Sequence, residues 1–92
     1  MEDFAITEDQ METVARTIYN FMPPTPQYNW PILSERVGTE VWVKHENHTP
    51  TGAFKIRGGL VYVDYVSGQR NASFEFIAAT RGNHGQSVAT AA

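Results

Sequence analysis

The sequence predicts an α/β fold, and three observations support this prediction. Residues 7–22 carry a helical repeat of apolar side chains, and residues 41–46 alternate in the manner of a half-buried strand. Residues 74–79 form an apolar segment, which is followed at once by a glycine-rich loop and a second helical pattern. Because strands and helices alternate along the chain, we expect parallel strands joined by right-handed crossovers.

The N-terminal segment, residues 1–22, predicts a helix. Thr7 and Gln10 have the spacing of a capping box, in which each side chain satisfies the backbone N–H of the other residue. An apolar stripe at helical spacing follows, and two consecutive prolines end it; its members are Met11, Val14, Ala15, Ile18 and Met22. Such a stripe is typical of packing, so we expect the helix to cover the body of the protein or a subunit interface.

Residues 23–29 predict a stiff connector, because the prolines in this short stretch suit neither a helix nor a strand. Residues 30–92 are then expected to begin the main body of a single, incomplete domain. A strand–turn–strand unit that ends with the strand at 41–46 opens this body. His45 and His48 lack a carboxylate or thiol at ligand spacing, so we predict no metal site.

One lysine stands in the loop-and-helix segment at residues 49–59. Pro50 favours extended backbone before it and Gly52 permits unusual dihedral angles, so this segment is expected to begin as a loop. A helix is predicted to follow this loop and to end at a polar break at residues 67–71. Lys55 then lies near the helix N-terminus. The helix macrodipole disfavours a cation there by roughly 0.3–1 kcal/mol. Packing alone does not explain Lys55, although a solvated surface lysine remains the alternative interpretation.

The segment that closes the sequence combines a strand, a tight loop and a helix. The strand is predicted at residues 74–79, the loop at residues 80–85 and the helix from Gln86 onward. A loop of this kind presents exposed backbone N–H groups at a helix N-terminus, where anions bind. Many α/β proteins carry such a loop, so taken alone it indicates only a module that binds an anion or a nucleotide.

Composition argues against several classes of protein. The chain has 7 Lys+Arg against 10 Asp+Glu, a net charge of −3 and no basic block, which argues against nucleic acid as a partner. The absence of cysteine excludes disulfides and thiolate chemistry within this sequence. No apolar run approaches the ~18 residues of a membrane span, and the acidic N-terminus is unlike a secretory signal. We therefore expect a cytoplasmic protein with no membrane partner.

Two motifs together resemble a known family. Residues 51–59 (TGAFKIRGG) are similar to the cofactor-lysine motif of pyridoxal-phosphate enzymes with the tryptophan-synthase-β-like fold (fold type II), within the serine/threonine dehydratase group. Residues 82–85 (GNHG) are similar to the substrate-carboxylate loop of that group. The similarity runs from about Trp30 to Ala92. Enzymes of the family are several times longer and this sequence stops within a helical pattern, so we expect a truncated segment that is inactive and poorly soluble alone.

The resemblance implies roles for individual residues. Lys55 would hold pyridoxal phosphate as a Schiff base and remove the Cα proton of the substrate. Phe54 would pack on the cofactor ring, although a place in the core suits this aromatic equally well, and Asn83 would hydrogen-bond the cofactor's phenolic oxygen. Arg57 is expected to be structural. The substrate carboxylate is expected to contact the loop residues Thr80, Arg81, Gly82, Asn83 and His84.

The reaction that the resemblance implies is the conversion of a small hydroxy-amino acid to a 2-oxo acid and ammonia. The substrate would be threonine, serine or 3-hydroxyaspartate, and the full-length lyase would be a homodimer or a higher homo-oligomer. The dehydratases usually carry a small residue where this sequence has Arg81, which leaves substrate and stereochemistry open. The alternatives are an amino-acid racemase, another fold-type-II enzyme or a non-catalytic anion-binding remnant. The family's glycine-rich phosphate loop and the residue that faces the pyridine nitrogen are not among these 92 residues.

Overall fold

The computed structural model describes residues 5–69 and 75–92. Within these residues the regular structure consists of four α-helices, one two-stranded sheet and a 3₁₀ turn. In chain order the elements are α1 (Glu8–Tyr19), β1 (Gln27–Asn29), α2 (Pro31–Val37), β2 (Trp42–Lys44), the 3₁₀ turn (Glu46–His48), α3 (Ile56–Gln69) and α4 (Asn83–Ala91). The predicted α/β class is confirmed.

Helix α1 begins at the predicted capping box and packs on α3. The Gln10 N–H donates to Thr7 Oγ1 over 3.1 Å, and the Thr7 N–H donates to Gln10 Oε1 over 2.9 Å. Ile18 and Met22 are buried against Ile56 of α3, which is itself fully buried. The predicted packing role is therefore confirmed for the C-terminal end of the apolar stripe, whereas the first members of the stripe are exposed.

The expectation of an irregular connector over residues 23–29 is wrong at its C-terminal end. That end forms β1, which pairs antiparallel with β2 and places Tyr28 opposite Val43. The prolines stop at Pro26, so every later residue of the strand has an N–H for the ladder. The Pro26 carbonyl accepts from the His45 N–H over 2.8 Å and extends the pairing. The expected parallel pairing is also wrong for the described chain, whose one sheet is antiparallel.

Helix α2 occupies a segment for which the sequence predicts a strand and a turn. Pro31 stands at its first position, where the missing N–H is no loss because no intrahelical acceptor exists there. Gly38 ends the helix with a left-handed φ of 80° and donates its N–H to the Ser34 carbonyl over 2.9 Å. The spacing from proline to glycine indicates such a helix, but its apolar side chains, Ile32, Leu33 and Val37, are all exposed.

Helices α3 and α4 pack closely at two small residues. Ser87 of α4 has an exposed fraction of 0%. A side chain at Gly59 of α3 would collide with the Ser87 hydroxyl, so glycine is needed for this close approach. Gly59 is the fourth residue of α3, and Ser87 is the fifth of the nine residues of α4. The contact therefore joins the first part of α3, which follows Lys55, to the middle of α4, which begins within the loop motif.

The strand predicted at residues 74–79 is not formed in its described part. Residues 75–79 have no regular secondary structure, and position 74 lies outside the described residues. A strand is held by ladder hydrogen bonds to a neighbouring strand, and no strand of the described chain pairs with this segment. Ile77, an apolar residue of this segment, is accordingly 100% exposed.

The two C-terminal helices each differ from prediction at one end. Helix α3 runs through Gln69, past the expected start of the polar break at 67–71, and the last two positions of that break lie outside the described residues. Helix α4 begins at Asn83, ahead of the predicted Gln86, directly after Gly82, whose φ of 142° favours glycine. No helix within residues 5–69 and 75–92 has both the length and the apolarity needed to cross a bilayer.

Candidate active site

A short loop, held together by hydrogen bonds between Thr49 and Ala53, precedes Phe54 and Lys55 at the start of α3. The hydroxyl of buried Thr49 accepts from the Ala53 N–H over 3.0 Å and donates to the Ala53 carbonyl over 2.6 Å. Gly52 bends the chain between them with a φ of 75°. Both Phe54 and Lys55 are exposed, and Lys55 directly precedes the first residue of α3. Lys55 therefore stands at a helix N-terminus, as the sequence predicts.

A polar cluster ties the first turn of α3 to three other segments. The Arg57 guanidinium forms an ion pair with Glu46 of the 3₁₀ turn, and its Nη1 donates to Tyr19 Oη of α1 over 3.0 Å. Thr25 donates its hydroxyl to Glu46 Oε2 over 2.5 Å. The hydrogen bond from Arg57 lowers the pKa of the Glu46 carboxyl from its ordinary 4.5 and raises the pKa of Arg57 itself. These contacts join Arg57 to other segments of the same chain, in agreement with its expected structural role.

The Thr80 hydroxyl organises the loop before α4. Its Oγ1 accepts from the Gly82 N–H and from the Gly85 N–H, each over 3.0 Å. A Cβ at Gly85 would approach Thr80 Cγ2 to 2.5 Å, so the loop needs glycine there. Because these two bonds engage both lone pairs of Oγ1, the Thr80 hydroxyl can form a further hydrogen bond only by donating its proton.

Two backbone donors of this loop remain available. The N–H groups of Asn83 and His84 have no acceptor in the described part of the chain, as is usual in the first turn of a helix. Both residues are exposed, and the positive end of the α4 macrodipole lies at the same place. The loop can therefore bind a carboxylate through these two N–H groups and the Thr80 proton.

A cleft of about 390 Å³ joins the two motifs. Phe54 and Lys55 line it from the lysine motif, and His84 lines it from the loop motif. The other predicted loop residues, Thr80, Arg81, Gly82 and Asn83, are not among its lining residues. The rest of the lining consists of Glu46, Arg57, Gly58, Gly59, Tyr62, Val63 and Val88.

Sequence reasoning does not single out Tyr62 or Val88, although both line the cleft. Tyr62 follows Lys55 by two helical turns, and Val88 follows His84 by one turn. That spacing is the signal that each shares a helix face with a motif residue. The Tyr62 ring also meets the Phe76 ring edge-on, with centroids 6.3 Å apart.

The groups in and beside the cleft fit a planar aldehyde cofactor and an anionic amino-acid substrate. A primary amine reacts with a carbonyl group, an aromatic ring packs on a planar heterocycle, and free N–H groups bind a carboxylate. Lys55 supplies the amine, Phe54 supplies the ring, and the loop that begins at Thr80 supplies the N–H groups. Fold and site together define an α/β segment in which an exposed lysine and a loop with free N–H groups lie on either side of one cleft.

The chain belongs to the pyridoxal-phosphate dependent enzyme family, whose model matches residues 18–92. This match confirms the family that the two motifs predict and the cofactor on which its members depend. No solved structure matches the chain.

Curated relatives agree with the family assignment. The biosynthetic L-threonine dehydratase IlvA of Pasteurella multocida is 39% identical over 75 residues, which are 82% of this chain and 14% of the relative. The L-threonine ammonia-lyase of Thermotoga maritima is 37% identical over 87 residues, 95% of this chain and 21% of the relative. The L-threo-3-hydroxyaspartate ammonia-lyase of Saccharomyces cerevisiae is 33% identical over 75 residues, 82% of this chain and 23% of the relative. The chain thus spans less than a quarter of the length of each of these relatives.

Proposed function

We propose that this chain supplies the cofactor-lysine segment of a pyridoxal-phosphate-dependent ammonia-lyase, which converts a small hydroxy-amino acid to a 2-oxo acid and ammonia. One observation carries the proposal: Lys55 of the first motif and His84 of the second motif line the same cleft. Relatives named as threonine dehydratase, threonine ammonia-lyase and 3-hydroxyaspartate ammonia-lyase support the substrate class. Threonine, serine and 3-hydroxyaspartate are the candidate substrates.

Lys55 has two tasks in this proposal. Its Nζ would hold the cofactor, and the same amine, when free, would accept the proton from the substrate Cα. Pyridoxal phosphate, when bound, supplies an electron sink for the negative charge that develops at Cα. The loop–helix junction holds the main chain of Lys55, while the flexible side chain lets the amine move between the two tasks.

Phe54 and Asn83 orient the cofactor in this proposal. The Phe54 side chain lines the cleft beside Lys55 and is 62% exposed, so its ring has a free face for a planar heterocycle. Asn83 opens α4 on the loop side of the cleft, and its side-chain amide can donate to the cofactor's phenolic oxygen.

The loop before α4 binds the substrate carboxylate in this proposal. The N–H groups of Asn83 and His84 and the Thr80 hydroxyl proton are the donors, and each is left without an acceptor in the described chain. Gly82 has no side chain, which keeps the approach to these donors open. Arg81 adds a positive charge beside them and so attracts an anion toward the loop.

Reductive trapping tests the cofactor site. The sequence has two lysines, Lys44 on β2 and Lys55, and both are exposed, so Lys44 is a matched control. Pyridoxal phosphate is added, the adduct is reduced with borohydride, and peptide mass spectrometry measures the label at each lysine. We expect the label at Lys55 to exceed the label at Lys44 by about tenfold or more, because Lys55 lines the cleft with Phe54 and Lys44 does not. Equal labelling of both lysines would contradict the proposal.

Ammonia release tests the reaction. The full-length protein that contains this chain is assayed with serine, threonine and 3-hydroxyaspartate. We expect Lys55→Ala to abolish ammonia release and Lys44→Ala to leave it unchanged, since Lys44 lies outside the cleft. Inversion of the substrate without ammonia release would identify a racemase instead. Labelling of Lys55 without either reaction would identify a non-catalytic remnant.

A further inference from the structure

A hydrogen bond crosses from the helix of the loop motif to the lysine of the other motif. The Ser87 hydroxyl on α4 donates to the Lys55 carbonyl over 2.7 Å, and Ser87 has an exposed fraction of 0%. The same carbonyl accepts the Gly59 N–H of α3 over 3.0 Å, so both of its lone pairs are engaged. The main chain of Lys55 is therefore held both by its own helix and by α4.

Gly59 makes this hydrogen bond possible. A Cβ at Gly59 would collide with the Ser87 hydroxyl and would lie 3.2 Å from the Ser87 carbonyl oxygen. A Cβ at the adjacent Gly58 would meet nothing within 4 Å. Of these two adjacent positions, only Gly59 must therefore lack a side chain, and it must do so because Ser87 packs against it.

We propose that Ser87 is a positioning residue that fixes the separation between the Lys55 amine and the anion-binding loop. Ser87 follows His84 by one turn of α4, and the first turn of that helix supplies the free N–H groups of Asn83 and His84. One hydrogen bond thus joins the backbone of the amine-bearing residue to the helix that binds the carboxylate. The inference rests on the proposed function, because both ends of the hydrogen bond then belong to one active site. A displacement of about 1 Å at such a site can slow a reaction about 100-fold.

Packing is the competing explanation for Ser87. A small buried residue fits beside Gly59 whether or not its hydroxyl donates. Alanine at position 87 preserves the packing and removes the donor, so the two explanations predict different results for Ser87→Ala. Under packing alone the reactivity of Lys55 does not change. Under positioning it falls although the protein remains folded.

The test compares two lysines of the same molecule. Each full-length variant is treated with pyridoxal phosphate and borohydride under conditions where circular dichroism shows that it is folded, and the label at Lys55 is divided by the label at Lys44. We expect Ser87→Ala to lower this ratio about fivefold, the factor that corresponds to the net worth of one hydrogen bond. Ser67→Ala makes the same change at an exposed position of α3 and is expected to leave the ratio unchanged.

Thr7→Ala controls for lost stability, because it removes the cap of α1, which is not part of the α3–α4 contact. Its labelling ratio is expected to equal that of the parent. If Ser87→Ala does not fold, Gly59→Ala repeats the test, since it keeps the hydroxyl and displaces it from Lys55. If the ratio of the Lys55 label to the Lys44 label is unchanged in the variant that folds, the proposal is overturned. The proposal is also overturned if this ratio falls equally in that variant and in Thr7→Ala. A parent ratio near one would instead overturn the cofactor site.

Discussion

Arg57 and Glu46 form an ion pair that joins the first turn of α3 to the 3₁₀ turn, which precedes the loop at residues 49–53. Their side chains are 20% and 23% exposed, so water screens the pair only in part. Tyr19 and Thr25 add hydrogen bonds to the two charged groups, which offset part of the desolvation penalty. Because Lys55 stands two positions before Arg57, the ion pair also restrains the backbone that carries the amine.

Low pH is expected to weaken the ion pair between Arg57 and Glu46. The pKa of Glu46 is lowered in the folded chain, so its carboxylate stabilises the fold above the ordinary value of 4.5, and this contribution is lost as the pH falls through the lower folded value. We expect Glu46→Gln to reduce the free energy of unfolding at neutral pH by about 1–2 kcal/mol, between the values typical of exposed and buried pairs. The difference between parent and variant should disappear at low pH.

Urea unfolding of the parent and of Glu46→Gln across this pH range measures the difference directly. Glu35→Gln is the control, because Glu35 is exposed on α2, and it is expected to change stability by less than ~0.5 kcal/mol. A difference that stays constant with pH would show that Glu46 acts through its shape and not through its charge.

Adjacent glycines of α3 are expected to respond in opposite ways to alanine. At Gly58 an added Cβ meets nothing within 4 Å, so Gly58→Ala should stabilise the helix by about 0.5–1 kcal/mol. At Gly59 the added Cβ collides with Ser87, so Gly59→Ala should destabilise the protein by about 1–3 kcal/mol. Thermal melts followed by circular dichroism measure both changes. A Gly59→Ala variant that melts at or above the parent temperature would contradict the close contact of α3 and α4.

Elements defined by local chemistry could be predicted from the sequence. The capping box at Thr7, the loop at Gly52 and the helix after Lys55 each depend on residues close together in the chain, and each is found. Strand β1 could not be predicted, because its ladder pairs Gln27 with Lys44, and neither segment contains a signal for the other. The strand predicted at residues 74–79 failed for a related reason, since apolar residues form a strand only where a partner strand is available.

The site follows the same division. Lys55 and His84 could each be singled out from its own motif, but only the family resemblance suggested that they share one site. That both line the same cleft depends on how α3 packs on α4. Ser87 was missed because it looks like any small helical residue. The sequence feature that could have pointed to Ser87 is the presence of a small residue in each of two helices, Gly59 in α3 and Ser87 in α4. Such a pair indicates a close contact only once the packing partner of each helix is known.

Replacing the Thr80 hydroxyl is expected to disorganise the carboxylate loop. Thr80→Val keeps the shape of the side chain but leaves the N–H groups of Gly82 and Gly85 without their acceptor. Both hydrogen bonds are exposed, so water can partly replace the lost acceptor, and the loss of one such bond costs about 0.5–1.5 kcal/mol. KM for the amino-acid substrate should therefore rise by about twofold to tenfold in the full-length protein. Thr80→Ser retains the hydroxyl and is expected to keep KM near that of the parent. Equal KM values in Thr80→Val and the parent would remove Thr80 from the binding loop.

Arg81 is the loop residue that departs from the pattern of the dehydratases. It is exposed, does not line the cleft, and takes part in no ion pair among residues 5–69 and 75–92. Its guanidinium is therefore available for a second carboxylate, which 3-hydroxyaspartate has and threonine lacks. We infer that Arg81 contacts the side chain of the substrate.

Removing Arg81 is accordingly expected to lower the preference for 3-hydroxyaspartate over threonine. A charge-assisted hydrogen bond is worth roughly 1.5–3 kcal/mol, so the ratio of the two kcat/KM values should fall about tenfold to a hundredfold in Arg81→Ala. Arg36→Ala removes an exposed arginine from α2, away from the loop, and should leave the ratio unchanged. A fall of less than about threefold would mean that Arg81 does not contact the substrate. The loop would then recognise only the α-carboxylate, which both substrates share.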